Sequence, residues 1–225
     1  MGLVKEIPRE ERPREKAEKY GIKSLSNVEL LAILIRSGFE GTSSLELAEN
    51  VLKKSNGLTY LSRLSMHELF EIKGIKKAKA LELLACFELA KRMTFCETTN
   101  HDVMDNPNAL IQWLKLELGN ELQENFLVVY LNVKNYVIGF DILFKGTVDS
   151  SIVHPREVFR EAYLKSSSRI ILVHNHPSTN LVPSQADIEI TQKLVECGEV
   201  IGIEVLDHLI VSNHSYFSFK SKGLM

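Results

Sequence analysis

The chain of 225 residues carries 27 Lys and Arg against 29 Asp and Glu, a formal net charge of −2, and is 44% hydrophobic and 25% charged. That is ordinary globular composition, which excludes a wholly disordered, collagen-like or disulfide-framework protein. No apolar run approaches the ~18 residues that cross a bilayer, the charged N-terminus has no signal-like apolar stretch, and three scattered cysteines suit a reduced, cytoplasmic protein with no membrane partner.

The first twenty residues read as a charged, mostly irregular arm punctuated by Pro8 and Pro13. Ser26-Asn-Val-Glu29 spells a capping box and predicts a helix that stops near Gly38. Ser43-Ser-Leu-Glu46 opens a second helix, which fades near Asn56-Gly57, and Ser65-Met-His-Glu68 opens a third. A fourth runs from about Lys77 to Met93, with Ala80, Leu84 and Phe87 at helical spacing. No strand is evident here, so residues 1–98 are expected to form a helical domain.

Between the third and fourth helices lies Ile72-Lys-Gly-Ile-Lys-Lys-Ala-Lys-Ala80. Gly74 suits a tight turn, and lysines crowd a helix start where backbone N–H groups are free, a setting that welcomes an anion. The segment resembles the helix-hairpin-helix motif of proteins that bind DNA without reading its bases. That resemblance makes Lys73, Gly74, Lys76 and Lys77 the candidate DNA contacts. The family's second glycine is replaced here by Lys76, and the competing reading is an αα-hairpin that merely packs. The halves differ in charge. Residues 1–100 carry 17 Lys and Arg against 14 Asp and Glu, and residues 101–225 carry 10 against 15. An acidic C-terminal half is a poor nucleic-acid surface.

Thr94 to Asn106 is polar and aperiodic and reads as a linker. Asn106-Pro107 then starts a helix bearing Leu110, Trp113 and Leu114. Phe126–Leu131 and Tyr136–Phe144 are β-rich runs joined around Lys134-Asn135, which predicts a hairpin. A helix follows Pro155, Arg169–His174 is a short strand, a long helix runs from Ser184 to near Gly198, and Ile203–Val211 and Tyr216–Phe219 are further strands. Helices and strands interleave, so residues 103–225 are α/β or α+β around one sheet.

The sharpest signal is Val173-His-Asn-His-Pro-Ser-Thr-Asn-Leu-Val-Pro-Ser-Gln-Ala-Asp187. His174 and His176 are two apart at a strand end, so both imidazoles take the same face. Six loop residues lead to Ser184 and Asp187 at the next helix. Two histidines and a carboxylate are the composition of a catalytic zinc site with one position left for water. Ser184-x-x-Asp187 also reads as a helix cap with an acidic third residue. Of Asp207 and His208, neighbours on a strand, at most one faces the cleft, either to orient a ligand from behind or to pack.

The string His-x-His-x7-Ser-x2-Asp resembles the JAMM motif of the JAB/MPN metalloenzyme domain. Glu11-Arg-Pro-Arg-Glu15, Ile72-Lys-Gly-Ile75, His154-Pro-Arg-Glu-Val158 and Val205-Leu-Asp-His-Leu209 extend the likeness to the bacterial RadC family over essentially the whole chain. The resemblance implies a mixed sheet flanked by helices, Zn2+ on His174, His176 and Asp187, and a Ser184 hydroxyl that supports an oxyanion. It also implies a glutamate general acid/base upstream. Glu124 fits that place best, with Glu157 at a helix start and Glu121 as competitors. The reaction implied is hydrolysis of a peptide or isopeptide bond in a protein or peptide substrate. Asn175 stands where deubiquitinase members carry Ser or Thr, which argues against ubiquitin-like substrates. The competing reading is a DNA-binding, repair-associated module whose metal site is structural or inactive. Nothing in the sequence spells a nuclease, because it has no cluster of carboxylates suited to paired Mg2+ ions.

Overall fold

The computed structural model describes residues 8–58, 60–119, 121–146, 153–178 and 180–225; Thr179 of the expected loop and residues 1–7 of the expected arm lie outside them. The chain divides into two compact units, Met1–Ala90 and Lys91–Met225. Among the described residues no helix is long and apolar enough to cross a membrane.

The first unit holds α1 (Pro13–Tyr20), α2 (Asn27–Ile35), α3 (Ser44–Lys54), α4 (Met66–Phe70) and the first part of α5 (Lys77–Thr98). Ser26, Ser43 and Ser65 each close a reciprocal capping box with the glutamate three residues on. Two orphan amide donors are thereby satisfied at each helix start. Leu31, Ile35, Leu47, Val51, Leu69 and Leu83 meet in one core. The expected irregular arm is half helix: Pro13 begins α1, because its fixed φ suits the first helical position and its missing N–H is not needed there. Lys16 then pairs with Glu29 of α2 at 2.9 Å. Helix α2 stops at Ile35, three residues short of Gly38.

Helix α5 runs five residues past its expected end at Met93, into the stretch read as a linker. Packing decides this over polarity. The Phe95 ring lies 4.9 Å from Trp113 and 5.2 Å from Phe140, and buried Thr98 donates its hydroxyl to the Phe95 carbonyl.

The second unit adds α6 (Pro107–Glu117), β1 (Asn125–Leu131), β2 (Val137–Lys145), α7 (Pro155–Leu164), β3 (Arg169–Asn175), α8 (Gln185–Ile201), β4 (Glu204–Val211) and β5 (Tyr216–Ser218). The sheet is mixed, in the order β2-β1-β3-β4-β5, and only β3 and β4 run parallel, joined by α8. Central strands β1 and β3 are buried almost throughout because helices cover both faces. On one face Leu127, Val129, Ile171 and Val173 pack on Trp113 and Leu114 of α6. On the other, Val128, Tyr130, Ile170 and Leu172 pack on Val158 and Phe159 of α7 and Leu194 of α8. His174 pairs with Phe126 across β1 and continues this second face to the C-terminal end of β3, beside the start of α8.

Helix α6 begins at Pro107 as expected, although the Asn106 side chain before it makes no cap bond. Helix α8 continues past Gly198 to Ile201, and Gly202, in the left-handed region at φ +79°, ends it.

Candidate metal centre

Three elements deliver the site. His174 is the last but one residue of β3, His176 follows the strand, and Asp187 is the third residue of α8. His174 Nε2 lies 3.0 Å from His176 Nε2 and 3.3 Å from Asp187 Oδ1, and His176 Nε2 lies 3.6 Å from Asp187 Oδ2. A tetrahedral zinc with bonds of ~2.0–2.1 Å would separate its ligand atoms by about 3.4 Å. The observed separations, taken from each imidazole to the carboxylate oxygen paired with it, bracket that spacing, so the chemistry of this donor set fits the ion. Glu124 completes the group: one ligand atom from each of the four residues lies within 4.8 Å of the others. His176 is oriented from behind, its Nδ1 2.6 Å from the Asn180 carbonyl.

Ser184 opens α8 as its N-cap. Its Oγ accepts from Asp187 N at 3.2 Å and donates to Asp187 Oδ2 at 2.7 Å. The hydroxyl thus steadies the carboxylate. Glu124 immediately precedes β1, where Gly146 N donates to its carbonyl. Phe126, Phe144, Val153 and Ile190 complete a cleft with Glu124, His174 and Asp187. Glu121 is exposed, and Glu157 sits in the first turn of α7; neither belongs to the four-residue group.

Sequence reasoning missed the part played by Asn175. Its buried amide clamps the segment that carries Glu124: Oδ1 accepts from Asn125 N at 2.9 Å, and Nδ2 donates to the carbonyls of Gln123 at 3.0 Å and Glu121 at 3.2 Å. Its only signal was its place between the two histidines. His208, left open between an orienting and a packing role, lies behind His174, with Nε2 2.8 Å from His174 Nδ1.

Burial pushes the His174 imidazole down to about 4, against the attraction of Asp187. His208 is pushed well below the usual histidine range by burial and by His174. Burial favours the neutral form of Asp187 as well, but hydrogen bonds and charge from His176, His174 and Ser184 win, and its carboxyl is held well below the usual carboxylate range. His176 is raised, chiefly by its bond to Asp187. The centre therefore presents a neutral buried imidazole and an ionised carboxylate, the forms that bind metal.

In the first unit, Gly74 has φ +97°, and a Cβ there would come within 2.7 Å of the Phe39 ring. The Lys73 ammonium lies 5.3 Å from the centre of that ring. Lys73, Lys76 and Lys77 are exposed, whereas Lys79 is spent on the carbonyls of Ser37 and Gly74.

Comparison with known proteins agrees with this division. Residues 104–224 match the model of a RadC-like JAB domain, and residues 4–81 match that of the UPF0758 N-terminal domain. A UPF0758 protein of Bacillus cereus is 45% identical over 223 residues, covering 99% of each chain. A UPF0758 protein of Clostridium botulinum is 44% identical over 223 residues, covering 99% of this chain and 97% of its own.

Proposed function

Because the chain belongs to the family of UPF0758 proteins with a RadC-like JAB domain, we propose that it is a JAMM-type zinc-dependent hydrolase of peptide or isopeptide bonds. The observation that carries the reading is the triangle that His174, His176 and Asp187 form, with the two Nε2 atoms 3.0 Å apart and lying 3.3 Å from Oδ1 and 3.6 Å from Oδ2 of the carboxylate. When bound there, Zn2+ supplies Lewis acidity toward water and a carbonyl oxygen.

The chain's own residues do the rest. Glu124, beside the triangle, takes a proton from the attacking water and returns it to the leaving nitrogen as the C–N bond breaks. Ser184 supports the tetrahedral oxygen once its hydroxyl turns from Asp187. Phe126, Phe144 and Ile190 wall the cleft with apolar surface and limit water there.

The test is metal content together with turnover on a peptide library. Glu124→Gln should keep zinc and lose turnover by about 10²–10⁴-fold, whereas His174→Ala should lose both. Full hydrolysis by Glu124→Gln would remove Glu124 from its role. Zinc bound without hydrolysis of any amide would favour the metal-stabilised binding module instead.

Contact with DNA is a separate proposal for the N-terminal unit. It is supported by exposed Lys73, Lys76 and Lys77 around the Gly74 turn. The full chain should bind duplex DNA without sequence preference, more weakly as salt rises. Charge reversal of the three lysines should flatten that salt dependence by up to about 0.9 in log–log slope for each phosphate no longer neutralised. Binding insensitive to salt, or unchanged in the variant, would end this reading.

A further inference from the structure

Beside the proposed ligands lie two wholly buried polar side chains that the reaction does not use, Thr191 and His208. Burying such groups is costly unless their polar atoms are partnered. Here they are partnered in one directed chain. The Thr191 hydroxyl donates to the Asp187 carbonyl, which has no proton to give in return. Having spent its hydrogen, Thr191 Oγ1 meets His208 Nδ1 at 2.6 Å as an acceptor, so that nitrogen carries the proton. His208 Nε2 is then a bare lone pair, 2.8 Å from His174 Nδ1, which must donate to it. What remains on His174 is a lone pair on Nε2, the atom that faces His176 and Asp187.

The fold is shaped to bring these groups together. Thr191 lies one helical turn beyond Asp187 on α8, so both present the same face. In the parallel pairing of β3 with β4, Ile170 faces Val205 but Ile171 faces Asp207, an extra residue in β4 at Leu206. That bulge brings His208 opposite Leu172, on the face that carries His174; in unbroken register His208 would face Val173 and the α6 side. Two phenylalanines fix the ring planes. Phe219 stacks on His208 at 4.7 Å between ring centres, and Phe126 lies nearly parallel to His174 at 6.5 Å.

We infer that Thr191 and His208 are positioning residues for the metal centre, a hydrogen-bond relay that starts at the Asp187 backbone and sets the tautomer and aim of His174. The inference rests on the zinc-site reading above. The relay begins and ends on proposed ligands, so α8, β4 and β3 are tied in one circuit around the ion's position. A purely structural polar cluster would have no reason to leave the Nε2 lone pair of His174 directed at two other donors.

The test uses the full-length protein, with zinc affinity measured by chelator competition and imidazole tautomers read from two-bond 1H–15N NMR spectra of the metal-free form. In the wild type, His174 and His208 should both carry their proton on Nδ1. Thr191→Val, close in volume but without the hydroxyl, should weaken zinc binding by about 10–100-fold and remove the preference for that tautomer at His208. Thr191→Ser should restore both. Should Thr191→Val fail to fold, His208→Gln, whose amide oxygen can accept from His174, should hold zinc more tightly than His208→Leu. A wild-type spectrum with the proton of either histidine on Nε2, or folded Thr191→Val with unchanged affinity and tautomers, would overturn the relay while leaving the zinc site standing. A wild type that takes up no zinc would fell the zinc-site reading, and the relay with it.

Discussion

Asp187 shows why two readings of one motif need not compete. Ser184-x-x-Asp187 spells a helix cap, and it also spells the last half of a ligand set. A carboxylate has two oxygens, and here both face the histidines while one also serves the cap. Oδ2 accepts from Ser184 N and Oγ, both at 2.7 Å, and lies 3.6 Å from His176 Nε2, while Oδ1 lies 3.3 Å from His174 Nε2. The cap that starts α8 therefore also aims the proposed ligand. Asn175 has a similar double dependence: its backbone belongs to β3, but its amide holds the segment before β1 through three hydrogen bonds. Asn175→Ala should leave Asn125 N and two carbonyls short of partners, costing on the order of 1–3 kcal/mol for each group that stays buried. Denaturant unfolding measures that loss. Zinc content should survive the change, while turnover falls because Glu124 is no longer held beside the ligands; unchanged turnover would mean that Glu124 needs no clamp. The grouping of His174, His176 and Asp187, the proposed ligand trio, is legible in the sequence because strand period, a proline stop and a cap signal lie within fourteen residues. The clamp and the Thr191–His208 pair are not, since they join positions separated by 50 and 17 residues whose approach depends on sheet register.

At the scale of elements, the signals that depend on neighbouring residues were readable and those that depend on tertiary partners were not. Three serine capping boxes in the helical unit could be read from spacing alone, as could the β1–β2 hairpin. The end of α5 could not, because Phe95 stays helical to reach Trp113 and Phe140. Nor could the bulge in β4, which flips the face of His208 with no glycine or proline to announce it. Gly198 is the instructive error. As a glycine it reads as the stop of α8, yet it is a buried helical residue, and Gly202 is the stop. It is small because the chain turns back beside it: a Cβ there would sit 2.5 Å from the Ile203 carbonyl oxygen. Gly198→Ala should therefore push α8 away from the start of β4. The expected cost is roughly 1–3 kcal/mol, typical of overpacking, despite alanine's better helix propensity. Zinc affinity should fall as well, because α8 carries Asp187 and Thr191. A variant as stable as the wild type would show that the turn after α8 absorbs the methyl group.

For the whole molecule, the two units have separate cores and only one carries the candidate centre. All four residues of the group lie between positions 124 and 187, so zinc binding should add its free energy to the folding of the C-terminal unit. At a free zinc concentration 100 times Kd that amounts to about 2.7 kcal/mol. The chain offers a clean reporter, since its single tryptophan, Trp113, is buried in the core of that unit. Zinc should raise the unfolding midpoint seen by tryptophan fluorescence, while the helical circular-dichroism signal keeps a component from the N-terminal unit that does not move. Asp187→Ala should abolish the shift. Acid should weaken it too, with a sign that follows from His176. Its bond to Asp187 raises its affinity for a proton in the metal-free protein, and that proton must leave before Nε2 can bind metal. The zinc-induced shift should thus be largest above the ordinary histidine range and fade as pH falls through it, sooner than an unperturbed histidine would dictate. A shift that persists undiminished to pH 5, or that survives Asp187→Ala, would place the bound zinc somewhere other than this centre.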